Sequence, residues 1–406
     1  MAKKRSILAG LDIGTHKTAI VIAEESPAGL EILGVGTAVS RGMRAGRLSD
    51  VQRTTEAIGV ALAEAELMAG CQINQVTVSV SGDHVRGQNS HGVVPIDNGE
   101  VSPRVARRAV ETAQALPLPA DHSILHLICR EYVVDGQGGI SEPVGMNGIR
   151  MEAHLHVVSA CDSVVGNLRK CCNRAGLSVA GVVSSSLASA EAVLEPEEKE
   201  LGVAVVDFGA GTVDLAIYSG SAVVYSSVLT TAGAIVTSDL SRCLETTMAD
   251  AERIKKQDGV ACPEALEHNS SVEVLGVGGR VPRMVSRRLV ADIIASRMEE
   301  IFESVLDEII RSGYGELLTS GVVLTGGSAM MPGVVDVASA VLGRPVRLGE
   351  PRAVVGLSDE VDDPTWSTAV GLARGLRTED LSRGWPAWVG DQIVPQWLRK
   401  RMSELF

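Results

Sequence analysis

The stretch Val206-Asp207-Phe208-Gly209-Ala210-Gly211-Thr212, running on into Val213-Asp214-Leu215-Ala216-Ile217-Tyr218, decides the fold because an earlier stretch echoes it. The earlier copy is Leu11-Asp12-Ile13-Gly14-Thr15, followed by Thr18-Ala19-Ile20-Val21-Ile22. Each reads as an apolar strand, an Asp, a glycine turn carrying a Thr, and a second apolar strand. The two Asp residues lie about one domain length apart. Glycine lets backbone N–H groups curl toward an anion with no Cβ in the way. An Asp at the strand end can hold hydrated Mg²⁺ beside phosphate oxygens. A duplicated hairpin with one acid per copy predicts two related domains closing on one nucleotide.

Further signals follow outward from the hairpins. Lys17 sits where its ammonium can reach phosphate as a point charge, although the same residue also suits a plain surface lysine. Leu324-Thr325-Gly326-Gly327-Ser328 ends a third strand on a glycine pair, which allows close approach of a flat base or ribose. Glu252 and Lys255 are three apart on a helical stretch, which by spacing alone describes an ordinary ion pair. Ala369 and Gly371 are small enough for close helix crossing. His154 and His156 share one strand face, but no third ligand stands in view for a metal. No Ser-His-Asp or Cys-His arrangement can be read.

Composition sets the class. The 406 residues are 45% hydrophobic with 43 glycines, which describes a compact multidomain protein. A net charge of −13 argues against nucleic acid as partner, since phosphate neutralisation needs a basic face. Seven scattered cysteines fit free thiols in a reducing cytoplasm. The apolar run after Met1-Ala2-Lys3-Lys4-Arg5 stops at Asp12, too soon for a signal peptide, and no run approaches the roughly 18 residues of a membrane span.

Periodicity predicts a helix capped by Ser49 with Gln52 in a capping box, its stripe Val51, Ile58, Leu62, Ala65 and Ala69. A strand follows over Val76 to Val80. A Gly- and Pro-rich stretch leads to a helix with Ser102 as cap and Pro103 in its first turn. Strands follow over Ile124 to Cys129 and Ile149 to Val158, then a helix from Asp162 to Ala175. Glu195 to Glu198 reads as a linker, and Thr237 to Gln257 and Met284 to Ile310 as long helices. The expected division is lobe 1 over 1–82, an inserted α+β subdomain over 83–158, and lobe 1 again over 159–199. Lobe 2 has its core at 200–232 and 316–360 and a smaller subdomain at 233–315. A lobe 1 closing helix (361–378), a linker (379–391) and a terminal helix (392–406) complete the chain. The fold class is α/β, two-lobed and duplicated.

The C-terminus differs in kind. As a helix beginning near Pro395, it places Trp397, Leu398, Met402, Leu405 and Phe406 on one apolar face. Arg399 and Lys400 lie opposite, and Arg401 snorkels from the flank. Tryptophan favours the bilayer interface, and each cation gains about 1 kcal/mol at anionic lipids, so this amphipathic helix is expected to bind a membrane surface.

The segments 11–20, 179–190, 205–218, 322–333 and 365–375 resemble the phosphate, connecting and adenosine motifs of the actin/Hsp70/sugar-kinase superfamily. Within it, the chain resembles the FtsA family of bacterial cell-division proteins over nearly its full length. The most specific stretches are Gly34-Val35-Gly36 with Ser40-Arg41-Gly42-Met43, Ala65 to Cys71, and Glu131-Tyr132 through Pro143-Val144-Gly145 to Gly148-Ile149-Arg150-Met151.

The resemblance implies an actin-like fold with ATP and Mg²⁺ in the interdomain cleft. Asp12 and Asp207 would hold the metal and position attacking water, with weak turnover at most. Gly14, Thr15, Lys17, Gly209, Gly211, Thr212, Gly233, Gly326, Gly327 and Ser328 would line the nucleotide, and Glu252 and Lys255 become ribose and base contacts. It further implies a peripheral protein on the cytoplasmic face of the cell membrane at the septum. There it would tether the tail of FtsZ, the tubulin-like division GTPase, through a region containing Arg283 and Arg297. It would also recruit other divisome proteins through the insert and self-associate into filaments. A short connector before the tail departs from many relatives. A pilus-assembly ATPase or a small-molecule kinase of the same superfamily is the alternative; an Hsp70-type chaperone would need a long peptide-binding domain that does not follow.

Overall fold

The computed structural model describes residues 7–266 and 270–374. The tail residues named above for membrane binding lie outside them. Each lobe is built on one sheet. In lobe 1 the strand order is Ser178–Ser184, Gln75–Val80, Ile7–Ile13, Lys17–Ser26, Gly29–Val39, Val354–Gly356. In lobe 2 it is Ala222–Leu229, Val213–Ser219, Val203–Phe208, Val322–Thr325, Val346–Leu348.

Both sheets start from an antiparallel hairpin whose first strand then pairs in parallel with a later one. Gly10 lies beside Thr77 in one, and Ala204 beside Val322 in the other. All six residues of Val203–Phe208 are buried. A strand covered on both faces needs a continuous apolar run rather than alternation, which is what Val-Ala-Val-Val before Asp207 supplies.

The helix Ser367–Ala373 returns the chain to lobe 1 and crosses Ser185–Val193 at close range. A Cβ at Gly371 would sit 1.8 Å from the Ala188 carbonyl oxygen, so only glycine permits the crossing. A Cβ at Gly10 would likewise lie 2.2 Å from the Ala369 carbonyl.

The insert is a four-stranded sheet, Val85–Pro95, Arg150–Cys161, His122–Val134, Gln137–Ile140, covered by the helix Pro103–Gln114. It has its own core, in which Met151, Ala153, Leu155 and Val157 face inward with Val94, Ala109 and Tyr132. The helix is capped by Ser102 with Pro103 in its first turn, as its sequence predicts. The insert also leans on lobe 2. His156 lies between Asn89 (2.7 Å) and Ser226 (2.8 Å), and Asn89 donates to the Val224 carbonyl and the Tyr314 hydroxyl. His154 lies between Glu131 and Glu152 instead, so the two histidines serve separate hydrogen-bond networks.

Several elements depart from the sequence reading. The helix Val51–Ala69 is capped by Asp50, which accepts from the Arg53 N–H, not by Ser49. Its buried stripe runs through Thr54, Ala57, Ile58, Ala61 and Ala65. Val85–Pro95 is a strand although Arg-Gly-Gln-Asn-Ser-His-Gly carries little β propensity; pairing with Arg150–Cys161 along its whole length overrides it. The strands read over 124–129 and 149–158 extend to His122–Val134 and Arg150–Cys161.

The supposed linker folds as the short helix Pro196–Leu201, with Glu198 accepting from the Glu195 N–H. Thr237 to Gln257 is two helices, Gly233–Cys243 and Met248–Asp258, because Glu245 turns left-handed (φ 47°) and Thr247 caps the second. Met284 lies in a strand, Arg283–Ser286, paired with Ser271–Val274, and the long helix is Arg287–Ser312. Its buried face carries Val290, Ile294, Met298, Ile301, Phe302 and Val305, while Leu289 is exposed.

Candidate functional site

The two hairpin turns meet across a cleft of about 440 Å³ between the lobes. They close identically: the Gly14 N–H donates to the Lys17 carbonyl and the Gly209 N–H to the Thr212 carbonyl, each at 3.0 Å. The tips touch, since a Cβ on Gly211 would fall 2.1 Å from the Thr15 hydroxyl. Glycine there is a condition of the lobes approaching at all.

Behind each tip stands its acid. Asp12 accepts from Ser79 at 2.7 Å, and Asp207 accepts from Thr368 at 3.0 Å and from Ser189. A third carboxylate, Asp214, lies directly across the second hairpin from Asp207 and accepts from Ser81 at 2.7 Å. Its other oxygen is buried without a hydrogen-bond partner. The equivalent place in the first hairpin is Ala19, so the duplication is asymmetric here.

Crowded, dry carboxylates hold protons. Burial raises Asp12 to about 6, with the neighbouring Asp207 adding to it. Burial and then Asp207 raise Asp214 to about 8, and burial also raises Asp207. Such a cluster has a strong electrostatic demand for a cation.

The other sequence-predicted residues fall around the same cleft. Lys17 donates to the Thr365 carbonyl and hydroxyl, both at 2.9 Å, and its ammonium lies 4.2 Å from the Trp366 ring centroid. Burial lowers its pKa. Gly326 (φ 89°) packs where a Cβ would meet Asp207 at 2.4 Å, and Ser328 donates to the Gly209 carbonyl at 2.9 Å. Gly233 sits beside Ser328, and Gly327 and Thr212 also line the cleft.

Glu252 and Lys255 form an ion pair at 2.7 Å, and both bond the Thr237 hydroxyl. Burial lowers Lys255; for Glu252 burial works upward, but Lys255 and Thr237 hold it below its ordinary value. Across the mouth, His16 in the first turn meets Lys256 at 3.0 Å.

Arg283 and Arg297 lie away from this cleft. Arg283 donates to the Leu244 carbonyl, and Arg297 pairs with Asp239 and Glu300. Sequence reasoning missed Ser79, Ser81, Ser189, Asp214, Thr365 and Thr368 as site residues. Asp214 had a signal, the acid seven residues after Asp207 in the hairpin; Ser189, Thr365 and Thr368 lie in the stretches 179–190 and 365–375 already singled out, whereas Ser79 and Ser81 only end a strand.

Among the described residues no helix is long and apolar enough to cross a membrane. The family model described as "Cell division protein FtsA" matches residues 204–371, and the one described as "SHS2 domain inserted in FTSA" matches residues 82–159. A cell division protein FtsA of Pseudomonas aeruginosa is 42% identical over 90% of this chain and 88% of its own length. That of Escherichia coli K12 is 40% identical over 98% of this chain and 99% of its own.

Among solved structures, the PilM–PilN type IV pilus biogenesis complex superposes with a TM-score of 0.65 at 17% identity, covering 92% of this chain and 100% of that one. MreB5 of Spiroplasma citri bound to ADP gives 0.56 at 11%, covering 93% and 97%. These two likenesses carry the actin-like fold alone. The two family models and the 40–42% identity over nearly the whole chain show that this chain belongs to the FtsA family of cell-division proteins.

Proposed function

We propose that the cleft binds ATP with Mg²⁺ and that the protein is an actin-like adaptor tethering FtsZ filaments to the cytoplasmic membrane during division. The observation that carries the nucleotide reading is the meeting of Asp12, Asp207 and Asp214 behind two identically closed glycine turns. The fit to the ligand rests on three features: a partnerless buried oxygen on Asp214, glycine walls that a Cβ would fill, and a volume suited to a nucleotide.

Mg²⁺, when bound, supplies the positive charge that lets phosphate oxygens approach these carboxylates. The chain's own groups do the rest. Asp12 and Asp207 would hold the metal and orient water, with Ser79, Ser189 and Thr368 fixing the carboxylates. The two turns and Lys17, which line the same cleft, would lie on the phosphate side. Glu252 and Lys255 would take the ribose and base side, where Lys255 reaches the Gly233 carbonyl, with Gly326, Gly327 and Ser328 also lining the cleft. The actin-like neighbour bound to ADP supports this reading.

For the adaptor role, Arg283 stands in a stretch that exposes Val281, Met284 and Leu289, a surface suited to the acidic-apolar tail of FtsZ. Arg297 belongs to the same proposed docking region. The insert would recruit other divisome proteins, and head-to-tail self-association would build filaments. Titration calorimetry with ATP and Mg²⁺ tests the core of this: Asp207→Asn should weaken binding at least tenfold, while Arg297→Ala leaves it unchanged and loses the FtsZ tail peptide. Equal ATP affinity for wild type and Asp207→Asn would overturn the cleft assignment.

A further inference from the structure

A second cluster of donors lies outside the cleft, at the root of the insert. Asp121, His122 and Cys161 each offer one ligand atom, and the three atoms lie within 4.8 Å of one another. The strands that carry them hold them there. His122 opens one insert strand and Cys161 closes its antiparallel neighbour, and the two residues are register partners. Asp121 precedes His122, and its carbonyl accepts from the Asp162 N–H at 2.9 Å, which ties the turn to the start of the helix Asp162–Arg174.

The cluster is half exposed, so an ion can reach it, yet the His122 Nδ1 is buried with no hydrogen-bond partner. The Cys161 thiol already leans on the Asp121 carboxylate at 3.5 Å and the Ser163 hydroxyl at 3.3 Å. His84, buried with Nδ1 3.8 Å from Asp83, is also close to His122.

We propose that Asp121, His122 and Cys161 form a Zn²⁺ site at the root of the insert. One oxygen, one imidazole nitrogen and one thiolate make a donor set of borderline softness, which favours Zn²⁺ over Mg²⁺ or Ca²⁺. Three protein ligands leave a fourth tetrahedral position for water. Binding releases the thiol proton to solvent and leaves no group oxidised or reduced. The site joins the last residue of the insert's sheet to the turn that opens its neighbouring strand, where lobe 1 resumes. Occupancy therefore ties these two insert strands together at the point where the chain leaves the insert.

The test uses the purified full chain stripped with chelator and titrated with Co²⁺ and Zn²⁺. The expected result is one thiolate-bound Co²⁺ per chain, counted by its sulfur-to-cobalt charge-transfer band and displaced by Zn²⁺. Cys161→Ser should remove the band, and His122→Gln and Asp121→Asn should each weaken Zn²⁺ binding at least tenfold. Asp12→Asn should change none of this, which separates the site from the cleft. A wild-type chain that binds no Co²⁺ through sulfur, or a Cys161→Ser chain with an unchanged band and Zn²⁺ affinity, overturns the proposal.

Discussion

Asp214 shows how one residue changes the electrostatics of a duplicated motif. Its partner position in the first hairpin is Ala19, so lobe 2 contributes two of the three clustered carboxylates. Because Asp12 rises to about 6 and Asp214 to about 8, the metal-free fold binds more protons than the unfolded chain between roughly pH 4 and 8. These groups therefore stabilise the fold at low pH, and that stability is lost as pH rises through their folded-state values. The melting temperature of metal-free protein should fall from pH 5 to 8, and Asp214→Asn should flatten the fall. A steeper or unchanged slope in the variant contradicts the assignment. Gly326 supplies a second check at this scale. With φ at 89° and Asp207 in the way of a Cβ, Gly326→Ala should cost about 1–3 kcal/mol in urea unfolding.

At the scale of elements, the closing helix Ser367–Ala373 behaves contrary to helix propensity. Replacing a helical glycine by alanine normally gains about 1 kcal/mol. Here a Cβ on Gly371 would strike the backbone of Ser185–Val193, so Gly371→Ala should instead destabilise by about 1–3 kcal/mol. A stabilised variant in denaturant titration would refute the close crossing. In lobe 2 the helix Arg287–Ser312 is anchored by Phe302, edge-on to Phe208 at 5.7 Å between ring centroids. Phe302→Ala should cost about 3–5 kcal/mol, because it empties the core directly beneath the strand that carries Asp207.

For the whole molecule, the lobes touch at the cleft mouth through Gly211 against Thr15, Ser81 on Asp214 and His16 on Lys256. Behind it, Ser189 and Thr368 reach Asp207, and Leu187 and Val193 share a core with Val205 and Ala216. In the proposed function, an occupant of the cleft would bear on the contacts at its mouth, while the insert rests on Ser226 and Tyr314 of lobe 2. The adaptor reading makes its own demand at this scale. The intact chain should sediment with anionic liposomes, and a chain ending at Gly384 should stay in solution with or without ATP. Equal sedimentation of both removes the tether.

The sequence alone was enough for the duplicated hairpins, the glycine turns and the insert's inward-facing Met151, Ala153, Leu155 and Val157, because each is a local pattern imposed by strand period or turn geometry. It also carried the family resemblance. It could not separate Gly233–Cys243 from Met248–Asp258, since a single left-handed Glu245 breaks an otherwise continuous helical pattern. Nor could it see the strand Val85–Pro95, whose polar residues are held by a partner about sixty residues on. Only the tertiary structure brought Ser79, Ser189 and Thr368 to the two acids and set His122 beside Cys161. Long-range hydrogen bonds and ligand sets depend on how the chain packs, and packing leaves no mark in residue spacing.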